Sequence, residues 1–344
     1  MMNAHQRPAV GLRRILAAAL AALLAMTVAA CGARSADGDA SASSDSGSWP
    51  RTIETDDGEL VLDSQPRTIV STSTTLTGSL LAVGAPVVAS AATSPNVEGL
   101  SDENGFFVQW SDAARQRGVE KLYENSSPDV EKAGAYAPDL IVVAKNGGDS
   151  VADEVGKLRE IAPVLVIDYT GRSWQDVTGT IAQATGREQQ AEQIIADYDS
   201  RLSETKDAIA VPEGTTSAFI VFGDGTGAAA LTKESAQGQI LSSLEFALAD
   251  IPDDVKGDTS MGADRQDIVN LSPENVRKGL TGDNWIVVSA DQASRDAIAN
   301  DPVFSTAVPV KEGRVTYTPP STFRLDYYSA LTLLDTLKDD YKKA

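Results

Sequence analysis

The residue types that most often perform catalysis or hold metal ions are scarce in this chain: 344 residues contain one cysteine, Cys31, and one histidine, His5. A catalytic triad or a histidine-based zinc site has almost nothing to be built from. What remains in quantity is carboxylate, with 49 aspartates and glutamates against 29 lysines and arginines. Paired carboxylates can hydrolyse glycosidic bonds, but among so many acids no spacing selects one pair, so an exported carboxylate-dependent hydrolase is only a remote alternative. Direct capture of ferric ion would need several oxygens converging on one point. Tyr327 and Tyr328 look suggestive, but adjacent residues at the start of a helix point in different directions and fit a core better. The expectation is a protein that binds rather than reacts, with no catalytic residue, no directly held metal and no cofactor.

Cys31 belongs to a different chemistry. Arg7, Arg13 and Arg14 form a positive leader, and Ile15 to Ala30 give 16 apolar or small residues, short for a membrane span and suited to a cleaved signal over residues 1–30. Val28-Ala29-Ala30-Cys31 resembles the bacterial lipobox, whose cysteine receives a diacylglyceryl group. Two acyl chains on one sulfur anchor a protein stably where a single chain binds reversibly. Within residues 31–48, Gly32 to Ser48 hold Gly, Ala, Ser and Asp with one arginine and no large apolar side chain, the composition of a flexible tether behind the lipidated cysteine. The expected location is extracytoplasmic, lipid-anchored to the cell membrane through Cys31.

Removing the signal also removes His5 and three basic residues, leaving 26 basic against 49 acidic and a net charge of −23. Such a surface repels nucleic acid. With no cysteine pair, the fold must stand on its hydrophobic core.

Short β-rich runs alternating with helical periodicity predict α/β layers around mostly parallel sheets. Buried strands are expected at Thr68–Ser71, Asp139–Ala144 and Val164–Ile167, and again at Ala218–Phe222, Trp285–Ser289 and Val315–Tyr317. Between these halves, apolar residues at Ala191, Ile194, Ile195, Tyr198, Leu202 and Ile209 keep helical spacing from Glu188 to Ile209, where Pro212 and Gly214 stop it. At 1.5 Å per residue this helix spans about 33 Å, enough to join two lobes as a strut. The expected organisation is therefore an N-terminal lobe over 49–187, a connecting helix over 188–209 and a C-terminal lobe over 210–344. A weak internal repeat agrees: Ser127-Pro128-Asp129-Val130-Glu131 leads to a strand at Asp139, and Ser272-Pro273-Glu274-Asn275-Val276 leads to one at Asn284. Ser-Pro followed by an acid is also an ordinary helix start.

Longer motifs carry a resemblance. Trp49-Pro50-Arg51, Ser64-Gln65-Pro66-Arg67-Thr68-Ile69-Val70, Gly147-Gly148-Asp149-Ser150, Ser173-Trp174-Gln175, Ser235-Ala236-Gln237-Gly238-Gln239 and Phe323-Arg324-Leu325-Asp326-Tyr327-Tyr328 occur in the order found in class III substrate-binding proteins. These are the receptors of ATP-binding-cassette importers for iron siderophores, and the chain is most similar to their ferric-enterobactin branch. The resemblance spans nearly the whole chain beyond the tether. It implies two α/β lobes joined by a rigid helix, a ferric siderophore of catecholate type in the cleft, delivery to an ABC permease and its ATPase, and a monomer.

Cleft walls are expected at loops following strands: Thr72–Thr75, Lys145–Ser150, Tyr169–Trp174, Asp224–Thr226 and Lys233–Gln237. A ferric tris-catecholate is a bulky aromatic trianion, so cations and planar surfaces should meet it. The resemblance makes Arg324 and Phe323 the leading ligand residues, a guanidinium beside a ring; the alternative for Arg324 is a salt bridge to Asp326. Lys145 and Lys233 could add charge, or be ordinary solvated lysines, and Trp110 and Trp174 lie near cleft segments. Two positions depart from the family pattern. Leu231 stands where enterobactin receptors have a tryptophan, and Thr93–Gly99 lacks their arginine and offers Glu98. Those departures keep haem, cobalamin or a hydroxamate siderophore open as cargo. Glu131 and Glu274, one per repeat, match the glutamates by which related receptors dock onto their permease.

Overall fold

The computed structural model describes residues 48–255 and 266–343. The expected signal, Cys31 and nearly all of the tether lie outside the described residues.

Two five-stranded sheets organise the molecule. In the N-terminal lobe, β3 (Ile69–Ser71), β4 (Val87–Ala92), β5 (Glu120–Glu124), β6 (Leu140–Ala144) and β7 (Val164–Ile167) pair in the order β5-β4-β3-β6-β7, all parallel. Strand alternation divides the core between the two faces. Leu140 and Val142 of β6 face a cluster with Leu76, Leu80 and Ile181, whereas Ile141 and Val143 face one with Val130 and Leu158. Both faces are therefore covered, as an all-parallel sheet requires. A separate hairpin, β1 (Arg51–Thr55) and β2 (Gly58–Leu62), lies at the entrance to this lobe.

The second sheet joins β8 (Thr216–Val221), β9 (Ala228–Leu231), β10 (Ile268–Leu271), β11 (Asn284–Val287) and β12 (Val315–Tyr317) in the order β10-β9-β8-β11-β12. It is mixed: β8, β11 and β12 are parallel, but β9 runs antiparallel to both β8 and β10. The cause is the short turn between Val221 and Ala228, which can close only an antiparallel pair; a parallel crossover needs a dozen or more residues. Again the pleat sorts the core, with Phe219 and Trp285 edge-to-face at 5.1 Å on one side and Ala218 and Ile286 on the other.

The helix between the sheets runs from Glu188 to Ala208. Arg51 of β1 is ion-paired with Glu188 at its start, and Ile194 packs against the cores of both lobes. The C-terminal helix, Tyr327–Asp340, lies along this strut, where the Tyr327 hydroxyl donates to Asp197 at 2.6 Å. Its first turn also crosses back onto N-lobe helices Thr74–Ala82 and Val108–Gln116. Gly78 makes that crossing possible: a Cβ there would fall 2.5 Å from Cγ and 2.9 Å from Cβ of buried Asp326. The two Ser-Pro-acid segments differ in form. Val130–Tyr136 is a 3₁₀ turn ending on left-handed Ala137 (φ 45°), whereas Pro273–Gly279 is an α-helix.

Candidate functional site

Where the N-lobe strand order reverses, between β3 and β6, the loops following those strands converge, the position at which α/β sheets commonly bind ligands. Asp149, 3% exposed, occupies this point. Its Oδ2 accepts from the Ser73 hydroxyl at 2.5 Å and the Thr75 N–H at 2.9 Å, both at the start of helix Thr74–Ala82. Its Oδ1 accepts from the Tyr169 hydroxyl at 3.0 Å. Burial opposes the charge, but nearby Arg324 and these hydrogen bonds outweigh it and hold the Asp149 carboxyl below its ordinary value.

Arg324 reaches the same point from the C-lobe. Its Nη1 donates to the Tyr169 oxygen at 2.8 Å, and its guanidinium lies 4.5 Å from the centre of the Phe323 ring. Burial works against its charge, but Tyr169 and Asp149 more than compensate and raise its pKa further. The phenol of Tyr169 is pushed up, by burial first, and stays protonated. From behind, Gln237 fixes the Phe323 segment, its Nε2 donating to the carbonyls of Thr322 at 3.0 Å and Phe323 at 2.6 Å.

These groups border a cavity between the lobes. The N-lobe contributes Thr75, Ser79, Tyr169, Arg172, Trp174 and Val177; the C-lobe contributes Leu231, Gln237, Asp267, Phe323, Arg324 and Leu325. Its lining, part apolar and part convergent polar groups, is of the kind that holds a small molecule. Among the described residues no cluster of histidine, cysteine or carboxylate side chains is arranged to hold a metal ion.

Phe323, Arg324 and Trp174 are brought together here; Trp174 packs edge-on against Tyr198 of the strut at 5.0 Å. The other expected ligand residues are not. Trp110 is 1% exposed in the N-lobe core, against Phe106 and Phe107, and does not line the cavity. Lys145 turns to the Asp56 carbonyl at 2.9 Å and borders a separate hollow. Lys233 is ion-paired with Asp250 at 2.7 Å on the surface. In each case a nearer acceptor, or a nearer apolar cluster, claims the side chain. The Asp224–Thr226 turn does not line the cavity either: antiparallel pairing carries Leu231, opposite Ile268, to the other end of the strands. Asp326 caps the C-terminal helix, accepting from the Ser329 N–H at 3.0 Å, rather than serving Arg324.

Tyr169, Asp149, Gln237 and Arg172 were not singled out by sequence reasoning, although all lie in the expected loops or quoted motifs. Arg172 lines the cavity while bonding Asp56 at 3.3 Å and Thr180 at 2.9 Å. Glu131 and Glu274 are both exposed, one in each lobe.

One all-parallel and one mixed sheet, a long helix between them and a cleft at their junction define a two-lobed binding-protein fold. The family model described as periplasmic binding protein matches residues 69–322, and the chain belongs to that family. It is 42% identical over 290 residues to the ferric enterobactin-binding periplasmic protein FepB of Escherichia coli O6:H1, covering 84% of this chain and 90% of that one. It is 30% identical over 199 residues to the iron(3+)-hydroxamate-binding protein YxeB of Bacillus subtilis, covering 58% and 55%. Among solved structures, holo-ViuP superposes with a TM-score of 0.78 at 30% identity over 86% of this chain and 97% of that one. Staphylococcus aureus SirA complexed with staphyloferrin B gives a TM-score of 0.64 at 19% identity, over 86% and 100%, a likeness of fold.

Proposed function

We propose that this protein is the substrate-binding component of an ABC importer, capturing a ferric siderophore of catecholate type between its lobes and presenting it to a permease. The observation that carries this reading is Arg324, stacked on Phe323 at the wall of an inter-lobe cavity in a chain 42% identical to a ferric enterobactin-binding protein. A guanidinium beside an aromatic ring offers charge and a flat face to an anionic aromatic chelate. The siderophore supplies the iron's ligands, and the protein performs no chemistry on it. Exposed Glu131 and Glu274, one per lobe, would meet basic groups of the permease and set register, as rim charges do. Cys31 would carry the lipid that holds the monomer at the membrane; incorporation of a palmitate analogue, abolished by Cys31→Ser, tests this.

A hydroxamate cargo is the second reading. Each cleft arginine has a carboxylate close behind it, Asp56 for Arg172 and Asp149 for Arg324, and Asp267 joins the wall. Leu231 adds an aliphatic surface where a stacking ring would favour catecholate.

Titration of the protein with ferric enterobactin, a simpler ferric catecholate and a ferric hydroxamate, followed by tryptophan fluorescence, separates the two. Trp174 borders the cavity and reports its filling. Saturable quenching by catecholates, weakened roughly 10- to 100-fold by Arg324→Ala as expected for a charge-assisted hydrogen bond, supports the first reading. Binding of the hydroxamate alone would keep the fold and replace the cargo.

A further inference from the structure

The cleft arginine does not stand alone. We infer that Tyr169 and Asp149 of the N-lobe are positioning residues for Arg324 of the C-lobe, fixing its orientation before any ligand arrives. The inference rests on the reading of Arg324 as a ligand residue.

Hydrogen-bond chemistry leaves this chain of groups one arrangement. The Asp149 carboxylate can only accept and the guanidinium can only donate, so the hydroxyl between them must donate to Asp149, at 3.0 Å, and accept from Arg324, at 2.8 Å. Both ends are held. The two oxygens of Asp149 are committed within the N-lobe, one to Ser73 and Thr75 and the other to Tyr169. The guanidinium lies against the Phe323 ring, whose backbone Gln237 secures. The Tyr169 ring is seated directly over Gly147. A Cβ at Gly147 would fall 2.8 Å from Cζ of Tyr169 and closer still to its hydroxyl, and the φ of +100° at Gly147 is itself one that residues with a Cβ rarely adopt.

The consequence is a guanidinium at the cavity wall with one edge tied to the N-lobe and one face on a ring. An arginine side chain that is otherwise free must lose much of its rotamer freedom on meeting a ligand; here that ordering is already done. Because Arg324 and Tyr169 come from opposite lobes, the same bond indexes one wall of the cleft on the other.

The test is a double-mutant cycle on the full chain, read by fluorescence titration with ferric enterobactin. Tyr169→Phe keeps the ring and deletes both hydrogen bonds. The expected result is about tenfold weaker binding, with no further loss when Tyr169→Phe is added to Arg324→Ala. Asp149→Asn supplies a second variant. With its carbonyl retained by the Thr75 N–H, the new amide faces Tyr169 and reverses the polarity of the relay, so it too should weaken binding in the wild-type background and not in Arg324→Ala. Circular-dichroism melting identifies any variant that fails to fold. Wild-type affinity in Tyr169→Phe, or an equal loss in both backgrounds, overturns the positioning role while leaving Arg324 as a ligand residue. Wild-type affinity in Arg324→Ala overturns both.

Discussion

Replacing Gly78 by alanine should destabilise the protein, against the ordinary expectation for a glycine inside a helix. In an unobstructed helix interior, alanine is favoured over glycine by up to about 1 kcal/mol. Gly179, in helix Trp174–Thr185, meets that description, since a Cβ there has no atom within 4 Å. Gly78 does not. Its Cβ would lie 2.5 Å from Cγ and 2.9 Å from Cβ of Asp326, where carbon atoms pack at about 3.5–4.0 Å. Relief requires about 1 Å of movement by a buried residue whose carboxylate and backbone form both halves of the capping box at the start of the C-terminal helix. Overpacking of this kind costs about 1–3 kcal/mol and a disturbed cap about 1 kcal/mol more. Subtracting the helix-propensity gain leaves a net loss of about 1–3 kcal/mol. For a body of this size that lowers the melting temperature by about 2–6 °C, whereas Gly179→Ala should raise it by about 1–2 °C. Thermal melts of the two variants beside the parent, followed by circular dichroism at fixed pH, make the comparison. Shifts of the same sign would refute the steric account of the crossing.

Asp326 also predicts a pH dependence. Burial pushes its carboxyl up to about 6, so the folded state favours the protonated form; the associated stability is present below the ordinary carboxylate range and is lost as pH rises through about 6. Asp326→Asn should flatten the stability profile between about pH 4 and 6 in denaturant titrations. Asp149 acts oppositely. Its pKa is lowered, so its contribution is present above the ordinary carboxylate range and disappears as pH falls through its folded value, a loss that Asp149→Asn should abolish. Leu231→Trp, at the cavity wall, should tighten catecholate binding several-fold through stacking worth about 0.5–1.5 kcal/mol, with little change for a hydroxamate. Charge reversal at Glu131 and Glu274 together should leave siderophore affinity unchanged in solution while slowing uptake in a reconstituted importer.

What could be read in the sequence was whatever is encoded locally. The run Leu140–Ala144 is apolar throughout because both faces of β6 are buried, and the strut's spacing from Glu188 onward is visible without knowing its neighbours. Direction within the second sheet was not local: the turn closing β8 and β9 carries three glycines, Gly223, Gly225 and Gly227, that read equally well as a loop before a helix. Nor was the company kept by Arg324. Tyr169 lies 155 positions away in sequence; the pairing of β6 with β7 sets its loop beside Asp149, and only the reversal of strand order between β3 and β6 adds Ser73 and Thr75 to them. Lys145 and Lys233 fell in loops of the right general kind, but a flexible amine goes to the nearest acceptor, and those acceptors, Asp56 and Asp250, are set by tertiary structure.

The return of the C-terminal helix to the N-lobe has a consequence for how the chain matures. A polypeptide delivered N-terminus first presents Ile69 to Thr185 long before Tyr327 to Asp340. The N-lobe helices Thr74–Ala82 and Val108–Gln116 must therefore wait for the end of the chain before Tyr328 covers them. Neither lobe is finished alone: the first lacks its last covering helix, and the strut lacks the partner that bonds Asp197. Loss of this helix from its first turn onward would then be felt in the N-lobe, exposing apolar surface in the lobe that was synthesised first.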